Sequence, residues 1–205
     1  MKQSELNNQV KGVNMPKTKL GLAKMNRLVE AAEVLFTSKG FFETSITDIC
    51  KAANTAVGTF YIYFNSKTDL YRYLMEKYKL EIRRNLAESI AGCKSRLEAE
   101  KEGVKCFICY AVKNPNVYNI IWGSLAVEKE MFEDYYVSFA KSYAKALERC
   151  GEEIKIEDAT SLAYMLMGIT NFLGLKAIFE QMSEKQIDGL IESSVLPVLK
   201  GGAFS

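Results

Sequence analysis

The chain has 205 residues, 48% of them apolar, and a formal net charge of +2, which is material for a buried core in one compact unit or two small ones. It contains no histidine, which removes serine–histidine triads, histidine general bases and the commonest transition-metal ligand together. No Gly-rich phosphate loop or paired-carboxylate motif stands out either, so the expectation is a non-enzyme with no metal and no cofactor.

Five cysteines (Cys50, Cys93, Cys106, Cys109 and Cys150) are an odd number scattered through helical pattern. With no charged-then-apolar leader at the N-terminus, they suit a reducing cytoplasm rather than a disulfide framework. Charge is unevenly spread. Residues 1–80 hold 12 Lys/Arg against 7 Asp/Glu, a net of +5, while residues 81–205 hold 15 against 18, a net of −3. The first stretch is the candidate for a polyanionic partner.

Residues 1–18 are polar, contain Pro16 and lack periodicity, which predicts a mobile, mildly basic arm. Leu28, Ala31, Ala32, Leu35 and Phe36 then form an i, i+3, i+4, i+7, i+8 stripe that stops at Gly40, a helix with a glycine terminus. Ser45-Ile-Thr-Asp48 has the form of a capping box and predicts a second helix from about Ile46 to Ala53. Asn54-Thr55 interrupts it, asparagine being one of the few residues that enter the left-handed region cheaply. A third short helix is expected over Ala56–Tyr63. Ser66-Lys-Thr-Asp69 repeats the capping pattern and opens a long helix toward Gly92.

Beyond it, a helix is predicted from Lys94 to Lys113, then a short aromatic segment, NVYNIIWG, and a helix from Ser124 to Cys150 closed by Gly151. Asp158 to Phe179 is the most apolar helix; Thr170, Asn171 and Lys176 interrupt it, so burial between subunits is expected, rather than in the core or in a membrane. Ser183-Glu-Lys-Gln186 caps a last helix reaching about Leu199. No strand pattern of useful length occurs, and the expected class is all-α, with about nine helices.

Two short helices joined by a tight turn, flanked by a stabilising helix on each side, make a helix-turn-helix, whose second helix enters the DNA major groove. Val57, Phe60 and Phe64 fall at i, i+3, i+7 and are expected to pack inward. Thr55, Thr59, Ile62 and Tyr63 lie off that stripe and Tyr61 at its edge, where hydroxyls meet phosphate oxygens and apolar atoms meet thymine methyls. Gly58 leaves the backbone open to close approach, and Lys67 sits in the first turn of the next helix, suited to a phosphate.

The stretch ITDICKAANTAVGTFYIYFNSKTDLY, Ile46 to Tyr71, resembles the DNA-binding motif of the TetR family of bacterial transcriptional regulators. The matching positions are Ile49, Ala53, Val57, Gly58, Thr59, Phe60, Tyr61, Phe64, Ser66, Lys67 and Leu70. Asn54-Thr55-Ala56 stands where many members carry variants of glycine-valine-serine, and Tyr63 stands in place of a frequent histidine. The resemblance implies an arm at residues 1–18, a three-helix DNA-binding domain at 19–66, and a larger helical effector-binding and dimerisation domain at 67–205. It also implies DNA contacts from Ser45, Thr47, Thr55, Ala56, Thr59, Tyr61, Ile62, Tyr63 and Lys67. Val57 and Gly58, at the start of the third helix, are placed on the same surface.

The implied protein is a homodimeric regulator, most simply a repressor, that binds a palindromic operator and is released by a small apolar or aromatic effector. The alternative is a helical small-molecule or lipid-binding protein without operator binding. Phe107, Tyr110, Tyr118, Trp122, Phe132, Tyr164, Met165 and Phe172 are the candidate effector-pocket residues, Phe107 and Trp122 foremost. Gly168, Asn171, Gly174 and Ala177 on the apolar helix, with Ile187, Leu190, Ile191 and Val195 on the last, are the expected four-helix dimer interface. Cys106-x-x-Cys109 raises thiol sensing as a minor alternative to simple burial.

Overall fold

The computed structural model describes residues 10–150 and 157–203. The proposed stop at Gly151 and the first nine residues of the expected arm lie outside the described residues. Among the described residues the main helices are α1 (Lys19–Lys39), α2 (Ile46–Ala52), α3 (Val57–Tyr63), α4 (Lys67–Ile90), α5 (Arg96–Lys113), α6 (Asn116–Val127), α7 (Lys129–Glu148), α8 (Ala159–Phe179) and α9 (Glu184–Leu190). Among the described residues the one β-type pairing is an isolated antiparallel bridge between Val13 and Phe64.

The chain forms two compact units. The first runs to Leu80 and takes in Asn116–Glu133; the second comprises Glu81–Pro115 and Asp134 onward. The expected boundary after residue 66 is therefore not where the structure divides. The first half of α4 and all of α6 belong with the helix-turn-helix, and α4 contributes its remaining turns to the second unit.

In the first unit, α1 is capped by the Thr18 hydroxyl, which accepts from the Gly21 N–H at 3.1 Å. It ends at Gly40, where φ is +87° and the N–H donates to the Phe36 carbonyl, the glycine stop foreseen from sequence. The core is Met25, Leu28, Phe36, Ile49, Phe60, Phe64, Leu70, Tyr71 and Leu74, all 5% exposed or less. The aromatic segment is a helix in its own right, α6, starting just past Pro115. The buried Tyr71 hydroxyl donates to the Ile120 carbonyl at 2.6 Å. Gly123 lies so close that a Cβ there would stand 2.8 Å from that hydroxyl.

The single helix expected over Ser124–Cys150 is in fact two. Glu128 interrupts it between α6 and α7, and its carboxylate takes the Arg72 guanidinium at 2.5 Å, a long-range pairing that local periodicity does not register. The arm is corrected as well. Asn14 N–H donates to the Tyr63 carbonyl at 2.7 Å and Asn65 N–H to the Gly12 carbonyl at 3.1 Å, so residues 10–14 are docked on the end of α3.

In the second unit α5 packs along α8 and α9. Val104, Ile108, Leu147, Leu162, Ala163, Leu166, Ile187, Ile191, Val195 and Leu199 make one buried cluster. The capping box at Ser183 is formed, with Ser183 N–H donating to Gln186 Oε1 at 2.9 Å. Past α9 the helix continues through π-helical turns at Ile191–Val195 and Leu199–Ala203 on either side of Leu196–Val198. Pro197 explains the irregularity: it has no N–H, and its ring excludes the usual carbonyl four residues back.

This cluster overturns much of the expected dimer face. Ile187, Ile191 and Val195 are at most 2% exposed, Gly174 is buried and Leu190 half-buried, because the last helix turns its apolar stripe onto α5 within the same chain. Gly168 and Asn171 are half-buried. What α8 leaves exposed is different: Tyr164 at 45%, Met165 at 48%, Phe172 at 66% and Phe179 at 77%. By length and composition α8 is apolar enough to cross a membrane, but Leu162, Ala163, Leu166, Met167, Gly174 and Ala177 are buried against its own chain.

Candidate nucleic-acid interface and ligand cavity

The helix-turn-helix is built from short-range devices. Ser45 caps α2: its Oγ accepts from the Asp48 N–H at 3.0 Å while Asp48 Oδ2 accepts from the Ser45 N–H at 3.0 Å. The Ser45 N–H and hydroxyl hold the Asp48 carboxyl below its ordinary range. α2 is capped by Ala53, Asn54 adopts φ of +50°, and the Thr55 N–H returns to the Cys50 carbonyl at 2.9 Å. That left-handed asparagine turns the chain so that α3 leaves at a new angle.

On α3, Phe60 and Phe64 are fully buried, with ring centroids 5.6 Å apart. Burying each contributes roughly 1.5–3 kcal/mol and fixes which face looks outward. The outward face carries Val57 (42% exposed), Tyr61 (53%) and Ile62 (61%), together with exposed Ala56 and Gly58 and half-buried Thr59. Val57 is thus not an inward anchor; it opens the helix on the solvent side. Gly58 has open space where a side chain would stand. Ser45 and Thr47 are exposed at the start of α2, and Lys51, not among the expected contacts, is exposed in its last turn.

Three expected contacts are placed differently. Tyr63 is 5% exposed; it sits at i+3 from Phe60 and joins the core side. Thr55 is half-buried with its Oγ1 enclosed beside Cys50, so its hydroxyl does not point outward. Lys67 donates from Nζ to the Phe41 carbonyl at 2.6 Å and the Thr44 carbonyl at 2.7 Å, and lies 4.2 Å over the Phe41 ring. Burial pushes its ammonium below the ordinary lysine range, opposed by Glu43. Lys67 therefore clasps the loop between α1 and α2, a role invisible to local pattern because its partners lie 23 and 26 residues upstream.

The second unit contains a cavity of about 330 Å³ lined from α4, α5, α7 and α8. Most of the wall is apolar: Leu86, Ile90, Val104, Phe107, Phe139 and Met167 are representative. Of the expected pocket residues, Phe107 lines it. Tyr118, Trp122 and Phe132 belong to the first unit, Tyr110 is buried in α5 outside the lining, and Tyr164, Met165 and Phe172 lie on the exposed face of α8. Asn171, expected at a dimer face, is part of the cavity wall.

The polar part of the lining was missed altogether. Glu100, 3% exposed, accepts from the Arg96 guanidinium on one oxygen and from the Tyr143 hydroxyl on the other. Burial first, and the Glu100 charge second, raise the Tyr143 phenol well above its ordinary range. Burial works against the Arg96 charge, but Glu100 overcomes it and holds the guanidinium above its ordinary value. Arg83, the third charged group, lines the same cavity. The i, i+4 spacing of Arg96 and Glu100 was readable, yet such a pair is ordinarily a solvated one. Cys109 lies elsewhere, half-buried, with its thiol pushed up by burial and by Glu184, which disfavours the reactive thiolate that sensing needs.

Residues 28–74 match the model of the bacterial regulatory proteins, tetR family. The HTH-type transcriptional regulator YvdT of Bacillus subtilis (strain 168) is 35% identical over 88 residues, 43% of this chain and 41% of that protein. YfiR of the same strain, also an HTH-type transcriptional regulator, is 22% identical over 178 residues, covering 82% of this chain and 87% of the relative. Among solved structures, the fatty acid degradation regulator FadR from Bacillus halodurans superposes with a TM-score of 0.74 at 17% identity, covering 92% of this chain and 98% of that one. A TetR-like transcriptional regulator from Rhodococcus sp. RHA1 gives 0.70 at 19% identity, over 92% and 100%. Residues 28–74 thus carry the helix-turn-helix segment of the tetR-family regulatory proteins, and the fold of TetR-like regulators extends along nearly the whole chain.

Proposed function

We propose that this protein is a dimeric, ligand-responsive transcriptional regulator of the bacterial cytoplasm, acting as a repressor on a palindromic operator and released when a small, largely apolar molecule fills the cavity. The observation that carries it is the split face of α3: Phe60 and Phe64 are wholly buried, while Val57, Tyr61 and Ile62 stand out in solvent beside a glycine with open space above it. A seven-residue helix that presents an aromatic hydroxyl, two apolar side chains and bare backbone suits a major-groove wall, where thymine methyls and phosphate oxygens are the partners. Ser45, Thr47, Ala56 and Thr59 complete the surface, with Lys51 alongside.

In a dimer, two copies of α3 about 34 Å apart would meet successive major grooves. Met165, Phe172 and Phe179 recur every seven residues on the exposed face of α8, a seam suited to the same helix of a second copy. Phe172→Glu is expected to shift sedimentation from dimer to monomer at micromolar concentration; an unchanged dimer places the interface elsewhere.

Coupling runs through α4. Its first turn holds Lys67, which clasps the α1–α2 loop, and its last turns present Arg83, Leu86, Ala87 and Ile90 to the cavity. A ligand that shifts α4 weakens operator binding by the factor by which operator weakens ligand binding. The test is selection of duplexes from a random pool, followed by a screen for compounds that release the selected one. A palindrome bound with a steep salt dependence is expected. Indifference to all duplexes at low ionic strength leaves the alternative, a helical small-molecule or lipid-binding protein.

A further inference from the structure

The three charged groups lining the cavity do not cancel. Glu100 is spent: both of its oxygens are engaged, one by Arg96 and one by the Tyr143 hydroxyl. Arg83 is in a different position. One terminal nitrogen donates to the Ser138 carbonyl at 2.9 Å and to the Ser138 hydroxyl at 3.3 Å, and its guanidinium carbon lies 5.4 Å over the Phe139 ring. Its Nε is buried with no hydrogen-bond partner. No carboxylate among the described residues pairs with it.

A guanidinium held by a neutral serine and an aromatic face has no counterion of its own. An anionic oxygen in the cavity, bonded to the part of the guanidinium that lines it, supplies the missing countercharge. The rest of the lining demands that this anion be small and otherwise apolar. At about 30 Å³ per non-hydrogen atom, the share of a water molecule in the liquid, 330 Å³ accommodates roughly a dozen such atoms. Leu86, Ile90, Val104, Phe107 and Met167 offer most of them nothing to hydrogen-bond with.

We infer that the cavity takes an apolar monocarboxylate of about a dozen non-hydrogen atoms, its carboxylate seated on Arg83 and its hydrocarbon part against the α5 and α8 walls. This rests on the cavity being the effector site proposed above, and gives that effector a chemical class. A cation is disfavoured because the one acid in the wall is already neutralised. A neutral molecule of equal size gains the apolar contacts but leaves the Arg83 charge without a counterion.

Isothermal titration calorimetry on the full-length protein tests the inference with three probes of one chain length: decanoate, 1-decanol and decylamine. Decanoate is expected to bind at least tenfold more tightly than decanol, with decylamine weakest. Arg83→Gln is expected to lose that tenfold margin while leaving decanol unchanged, and Arg83→Lys to retain part of it. Decanol or decylamine matching decanoate in the wild type overturns the inference whatever the variants do. So does absence of decanoate binding at millimolar concentration, or an Arg83→Gln protein that melts normally and holds decanoate as before. Operator release is measured separately. Arg83-dependent decanoate binding that leaves the duplex bound supports the inference and removes only the effector role.

Discussion

The two units solve opposite problems with similar material. The first must present a surface, so its aromatic groups are divided by face: Phe60, Phe64 and Tyr63 inward, Tyr61 outward. The second must enclose a space, so it spends charged groups on a wall, with Glu100 and Arg96 buried where hydrophobic residues would pack more simply. A projecting site takes its rigidity from what lies behind it. An enclosed site depends on what its lining groups do to one another, and therefore carries more electrostatic risk.

Glu100→Ala tests that difference most severely. It removes the carboxylate that faces the Arg96 guanidinium and accepts from the Tyr143 hydroxyl, and is expected to destabilise the second unit by about 3–5 kcal/mol, read by urea denaturation. A loss under 1 kcal/mol would mean that water already reaches the triad. Next in size is Lys67→Met, which deletes two charge-assisted hydrogen bonds to the Phe41 and Thr44 carbonyls. About 2 kcal/mol is expected, with faster amide exchange in the α1–α2 loop. If Lys67 serves DNA alone, stability stays unchanged.

Gly58→Ala sharpens the comparison from the other side. The added methyl meets nothing within 4 Å, so the monomer should gain about 0.5–1 kcal/mol of helix stability. Operator affinity should nevertheless fall about tenfold, ~1.4 kcal/mol, because the backbone can no longer approach the duplex. Unchanged affinity in a gel-shift titration would remove α3 from the contact surface.

The smallest effect is on acidification. Asp48 has its carboxyl lowered by Ser45, so the unfolded chain takes up protons before the folded one does. The stabilisation is complete above the ordinary carboxylate range and is lost as pH falls through the lowered folded value. Protection of the Ser45 and Asp48 amides against exchange, corrected for the intrinsic rate at about pH 5 and about pH 3, should fall locally at the start of α2 while the second unit's core amides keep theirs.

Why one site was legible and the other was not follows from the same contrast. The helix-turn-helix is written in neighbours: Ser45 with Asp48, Asn54 at the turn, Phe60 with Phe64, all within a few positions. Its errors came where a partner lay far off, as with Lys67 and with Glu128, or where a register was misjudged, as with Tyr63 and Val57. The cavity brings Arg83, Glu100, Tyr143 and Thr170 together from four helices, and no window of sequence contains them together. The final helix failed for a related reason: periodicity shows that Ile187, Ile191 and Val195 share a stripe, but not whether the chain's own α5 or another copy covers it.

The bridge between Val13 and Phe64 has a consequence for how the gene can be shortened. A polypeptide initiated at Met15 would still contain α1 to α9, yet would lose the Gly12 carbonyl that accepts from the Asn65 N–H and the Asn14 N–H that donates to the Tyr63 carbonyl. Its recognition segment would be whole in composition and unsupported at its back.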